Sequence, residues 1–285
     1  MNIEQEYIKK VESLVPCPTI ALEVLELAHD PDCNFDNLAR KIESDPSLTA
    51  NMLHMANSAY FGHMRKIASV RDIVIRLGIA SVKLIAITGA SVGLLKNPQD
   101  AYNLKAGALW QHSQATASLA AIIGSHAKIT DSFSLYTGAL LHDIGKIILN
   151  KPLLAAGYDK NVTVTAGNLL QIEQKYLQTD HAKVGMFLLE NWGLPAEITV
   201  PVGFHHDYKE AVVHKEATRI VHLANALVEG MGFVAENQAM PTIDVEEVID
   251  EEVYSSIPHF QEDMEQIIEE FYQKINEASS LNLES

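Results

Sequence analysis

The chain has 285 residues, 47% of them hydrophobic and 20% charged, an ordinary globular balance with enough length for a buried core. Its 21 bases against 37 acids leave a net charge of −16, which argues against a nucleic-acid backbone or an anionic membrane as main partner. No apolar run is long enough to span a bilayer, and the polar start lacks signal-peptide order. Cys17 and Cys33 give neither a disulfide framework nor CxxC metal spacing, so a cytoplasmic protein is expected.

In chain order, helical signals dominate. Ile20, Val24, Leu25 and Leu27 form an apolar face after Pro16 and Pro18. Asp45-Pro46 reads as an N-cap with proline in the first turn, and Leu48, Met52 and Leu53 mark the buried side. Ser69 with Asp72 resembles a capping box ahead of Val70, Ile73, Val74 and Leu77. Gly78 punctuates, and a mostly apolar stretch runs from Ile79 to Leu95 until Asn97-Pro98 breaks it. A long helix is expected from about Lys105 to Ser125. Asp131 caps another that carries Leu140 and Leu141 on to Leu149, with Pro152 closing it.

Leu169 to Tyr176 is helical, Asp180 caps a helix with Val184, Phe187, Leu188 and Leu189, and Trp192-Gly193-Leu194-Pro195 is a turn into the next helix. Ala217 to Val228 is a further helix. Val162-Thr163-Val164 is the one short β-like piece, too brief to build a sheet. Residues 236–285 hold 14 acids and one base, Lys274, so the rest of the chain is nearly neutral. This acidic tail reads as a solvated helical face or as a contact surface for a basic partner. Ile267, Ile268, Phe271 and Ile275 recur at helical spacing, so one stripe of it should pack. The expectation is an all-α protein: a helical half over 1–98, a second over 99–235, and an acidic helical tail over 236–285.

The chemistry concentrates in histidines. His142-Asp143 lies within Gly138-Ala139-Leu140-Leu141-His142-Asp143-Ile144-Gly145-Lys146. Adjacent helical residues project about 100° apart, so both side chains can reach one centre. Imidazole nitrogen suits iron, zinc, manganese or nickel, and a carboxylate can bridge two ions. A buried Asp143 needs a metal, a salt bridge or strong hydrogen bonds. Lys146, three residues on, can meet Asp143 or a phosphate. His112, His181 and the pair His205-His206 sit on three other predicted helices, and Gly185, one turn after His181, gives room for close approach. Four helices supplying inward side chains is how helical proteins build metal centres. Any one of these histidines alone is more often a satisfied core or surface residue than a ligand.

Several separated motifs together resemble the HDOD domain, a relative of the HD superfamily of metal-dependent phosphohydrolases. They are Leu14-Val15-Pro16-Cys17-Pro18, Asp45-Pro46-Ser47-Leu48, Asn57-Ser58-Ala59-Tyr60-Phe61-Gly62, Ser69-Val70 leading to Arg76-Leu77-Gly78, then Gly138 to Lys146, His181 to Gly185, Trp192 to Pro195, and His205-His206. The resemblance covers about residues 10 to 230. It implies a metal pattern of His112, His142, Asp143 and a late carboxylate, joined by the His181 and His205-His206 positions of HD-GYP proteins. The late position falls on Asn225, and His206 is followed by Asp207-Tyr208 in place of the loop that helps HD-GYP enzymes hold cyclic di-GMP.

Two readings follow from the resemblance. In one, the chain is a signal-transduction protein and a metal-dependent phosphohydrolase. One or two divalent transition ions (iron, manganese, nickel or zinc) sit on His112, His142, Asp143, His181, His205, His206 and Asn225, with Asp143 and Lys146 serving a phosphoester or nucleotide. In the other, it is a regulatory module for a signalling partner, with a structural or vestigial metal site. No nucleic acid or membrane is expected to bind in either case.

Overall fold

A computed structural model describes residues 19–29, 34–56, 67–157, 166–232 and 251–281. The sequence motifs at 14–18 and 57–62, Cys17, Cys33 and the β-like piece at 162–164 lie outside the described residues. The described part is all-α, with thirteen α-helices and no strand. It divides into two compact units, Glu12–Leu94 and Leu95–Ser285.

The first unit contains α1 (Thr19–His29), α2 (Phe35–Glu43), α3 (Pro46–Ala56) and nearly all of α4 (Val70–Leu95). Local chemistry starts these helices. The Asn34 side chain accepts from the Asp36 and Asn37 amides, Asp45 from Leu48 N at 2.9 Å, and Ser69 from Asp72 N at 3.1 Å. Leu38, Ile42, Leu48, Met52, Ile73 and Val82 fill its core, whereas Leu27 at the end of α1 is exposed. Gly78, at φ 75° and ψ 168°, kinks α4 in a conformation that glycine adopts at no steric cost.

The second unit opens with a 3-10 turn (Asp100–Tyr102), whose Ala101 amide donates to Asn150 Oδ1 at 2.8 Å. Then come α5 (Ala108–His126), α6 (Ser132–Leu141), α7 (Gly145–Ala155), α8 (Ala166–Leu177), α9 (His181–Asn191), α10 (Ala196–Phe204) and α11 (Lys215–Gly230). The last helices are α12 (Glu251–Ser255) and α13 (Phe260–Leu281). Helix α5 lies centrally, packed against α6, α11 and α13, while α9 packs on α7 and α10. The acidic stripe is not loose: Ile267 and Phe271 are fully buried, Ile268 and Ile275 half-buried, and His126 Nδ1 meets Asp263 Oδ2 at 2.8 Å.

Two boundaries differ from expectation. The helix expected to run from Asp131 to Leu149 breaks at His142–Ile144, where Ile144 N–H donates to Leu141 O and Lys146 N–H to Asp143 O in three-residue turns. A Cβ on Gly145 would collide with the His181 carbonyl, so α7 begins where its backbone touches the start of α9. Pro152 also does not close a helix; α7 continues through it to Ala155. The missing proline N–H removes one internal bond, and burial of Leu149 and Leu153 on either side holds the turn.

Candidate metal centre

The break between α6 and α7 is what presents His142 and Asp143. His142 follows the last turn of α6 and donates its Nδ1–H to Ala139 O at 2.7 Å, which leaves Nε2 as its free face. Lys146, on the first turn of α7, closes on Asp143 Oδ2 at 2.6 Å, and both side chains are buried. His112 projects from α5, and Asn225 from α11, with His112 Nε2 and Asn225 Oδ1 2.9 Å apart. His181 is the first residue of α9, set by Asp180, whose side chain accepts from Lys183 N at 2.9 Å. His205 caps the end of α10 and donates Nδ1–H to Val202 O at 2.7 Å; His206 follows it.

These side chains form two adjoining groups, His112–His142–Asp143 and His181–His205–His206, each with ligand atoms within 4.8 Å of one another. Asp143 stands between them. Its Oδ2 lies 3.4 Å from His142 Nε2 and 3.6 Å from His112 Nε2; its Oδ1 lies 3.1 Å from His181 Nε2 and 3.9 Å from His205 Nε2. Nε2 faces Nε2 at 3.2 Å between His112 and His142 and at 3.0 Å between His181 and His206. Imidazoles that share an ion at about 2.0–2.1 Å bring their nitrogens about this close. Two buried atoms aimed into the cluster, Asp143 Oδ1 and His205 Nε2, have no hydrogen-bond partner. Nitrogen-rich donors with one carboxylate and vacant lone pairs fit a divalent transition ion.

Electrostatics fit the same picture. Burial works to raise the Asp143 carboxyl, but Lys146 and His142 outweigh it and hold the group well below the usual carboxylate range. Burial drives His112 down to about 3 and His206 to about 2, and it holds His205 well below its ordinary value, so these rings are neutral, as metal ligands must be. His181 is the exception. Burial works to lower it, yet the Glu173 carboxylate against Nδ1 and Asp143 beside Nε2 raise it to about 9, so an ion at Nε2 would displace that proton.

All seven residues named from the sequence, together with Lys146's contact to Asp143, therefore meet in one cluster. Two further participants carry no sequence signal. Glu173 on α8 is fully buried and accepts from the His181 amide at 3.0 Å, from His181 Nδ1–H at 2.8 Å and from the Tyr102 hydroxyl at 2.7 Å. A carboxylate behind a ligating imidazole fixes the ring's orientation and raises its basicity. His222 sits behind the site: its Nδ1–H donates to His205 O at 2.6 Å. His126 takes no part, being paired with Asp263 on α13.

An HDOD domain protein of unknown function from Geobacter sulfurreducens has the same fold, with a TM-score of 0.70 and 25% identity over 96% of this chain and 94% of that one. A structure from Shewanella amazonensis SB2B, described as a candidate metal-dependent phosphohydrolase, aligns with a TM-score of 0.59 and 18% identity over 80% of this chain and 84% of that one. An uncharacterized protein of Treponema pallidum (strain Nichols) is 23% identical over 208 residues, which are 71% of this chain and 39% of that relative's length. Among the described residues no helix is long and apolar enough to cross a membrane. The HDOD domain model matches residues 14–208, about two thirds of the sequence and all of the cluster except Asn225, and the chain therefore belongs to the HDOD domain family.

Proposed function

We propose that this HDOD protein works in signal transduction as a metal-dependent phosphohydrolase acting on a phosphoester or nucleotide. The observation that carries the reading is Asp143, a buried carboxylate whose two oxygens face two histidine groups, with one oxygen and His205 Nε2 unmatched. His181, His205 and His206 with Asp143 Oδ1 would hold a divalent ion on one side, and His112, His142, Asn225 and Asp143 Oδ2 offer donors on the other. Such an ion supplies Lewis acidity toward a phosphoryl oxygen and lowers the pKa of a nearby water. The chain's own residues do the rest. Ala139 O and Val202 O fix the His142 and His205 tautomers, and Glu173 fixes that of His181. An ammonium has three donors and Asp143 takes one from Lys146, so Lys146 is equipped to bind a phosphoryl oxygen. The half-buried His206 marks the side from which a ligand approaches. In this reading residues 99–235 carry the site, with 1–98 and the tail from 236 as accessory parts.

The regulatory alternative has its own support: Asn225 offers a neutral oxygen where the superfamily pattern has a carboxylate. Elemental analysis of protein purified without an affinity tag, followed by assay on a generic phosphodiester and a nucleotide panel, separates the two. Asp143→Ala should remove the metal and any turnover. Metal that stays in Asp143→Ala refutes the site; metal that is lost with no turnover in the wild type leaves the regulatory module.

A further inference from the structure

Resting on that reading, we infer that the two halves of the cluster are unequal. The chain holds one tight ion on His181, His205, His206 and Asp143 Oδ1, anchored by Glu173 and Tyr102, and the Lys146 ammonium takes the place of a second ion on the His112–His142 side.

Three observations carry this. The first is support behind each ring. His181 Nδ1–H is met by Glu173, a fully buried carboxylate held in turn by Tyr102, and His205 Nδ1–H by Val202 O. On the other side His112 Nδ1 is buried with no partner. To ligate through Nε2 a neutral imidazole carries its proton on Nδ1, and at His112 that proton would have no acceptor. The His112 Nε2 position is already satisfied by Asn225 Oδ1 at 2.9 Å, with Nε2–H donating to the amide oxygen.

The second is competition for Asp143. Oδ1 has no hydrogen-bond partner, whereas Oδ2 lies 2.6 Å from Lys146 Nζ. An ion on the His112–His142 side must share Oδ2 with a full positive charge. The third is the charge of the buried cluster. With the ligating histidines neutral, Asp143, Glu173 and Lys146 sum to one negative charge, and the half-buried Glu229, which feels Lys146 and Asp143, makes it two when ionised; one dication then leaves 0 to +1 and two leave +2 to +3, with little water to screen them. Lys146 thus neutralises what a second ion would otherwise neutralise.

The test is calorimetric titration of the metal-freed full chain with Co2+, with the Co2+ absorption spectrum recorded alongside. Wild type should take up one ion per chain. Glu173→Gln, which keeps a hydrogen-bonding side chain but removes the charge, should weaken binding about tenfold or more. At saturation its Co2+ spectrum should shift, which a purely structural role for Glu173 would not produce. Lys146→Met should raise the stoichiometry toward two, and Asn225→Asp should do the same by adding a charged oxygen. Two ions of equal affinity in wild type would overturn the inference while leaving the proposed function standing. So would a stoichiometry of one in both Lys146→Met and Asn225→Asp. No bound Co2+ in wild type would overturn both.

Discussion

Single residues decide whether the cluster closes. Gly145 is the sharpest case, because a Cβ there would drive into the His181 carbonyl and crowd Gly185 N, both backbone atoms that cannot swing aside. Gly145→Ala should cost about 1–3 kcal/mol or more, the range of overpacking in a dense core, read as a lower denaturant midpoint. It should also weaken metal uptake, since moving α7 from α9 separates Asp143 from His181. Gly93→Ala, in α4 where a Cβ meets nothing within 4 Å, is the control: it should leave metal uptake unchanged and raise the midpoint, as alanine does in place of a helical glycine. The cluster itself was legible in the sequence to the extent that its chemistry is written in neighbours: His142-Asp143 and His205-His206 are adjacent pairs. Glu173 was not legible. It is one acid on an amphipathic helix, eight residues before His181, and only the turn from α8 into α9 brings its carboxylate under that ring. Tyr102, 71 residues away from Glu173, could be joined to it only by the fold.

At the scale of elements, helix starts were readable because capping is local. Asp45, Ser69, Asp131 and Asp180 each accept from the amide three residues ahead, as their types and positions suggest. The break after Leu141 was hidden because Ile144, Ile147, Ile148 and Leu149 continue an apolar helical spacing through it; the close contact of Gly145 with the start of α9 sits at the break. The same logic governs α13. Glu262, Glu265 and Glu269 face outward and Asp263 and Glu270 turn to His126 of α5, yet Ile267 and Phe271 are fully buried in the unit that holds the cluster. Phe271→Ala should therefore cost about 3–5 kcal/mol, the usual range for a buried phenylalanine truncated to alanine. Metal content should not change, because α13 contributes no cluster residue. A denaturation midpoint equal to that of wild type would show that the tail does not stabilise the unit. Loss of metal from a folded Phe271→Ala protein would place the tail within the site's support.

Across the whole molecule, the cluster belongs to one unit. Every cluster residue, together with Glu173 and Tyr102, lies within Leu95–Ser285. The helices that supply them, α5 through α11, are separate elements whose facing imidazole nitrogens approach to 3.2 Å between His112 and His142 and to 3.0 Å between His181 and His206. A bound ion would tie side chains from these separate helices into one shared interaction. Ligand that binds only the folded form stabilises it by about 2.7 kcal/mol at a hundred times its Kd. Hydrogen exchange followed with and without Co2+ should therefore show slower exchange for amides of α5 to α11. The amides of α1 to α3, which contribute nothing to the cluster, should exchange at unchanged rates. Asp143→Ala should abolish the difference, since it removes the carboxylate that faces both histidine groups. Slowing spread equally over α1 to α3 would mean that the ion's stabilisation is not confined to the unit that carries its ligands. Slowing that survives in Asp143→Ala would mean that the ion is held elsewhere.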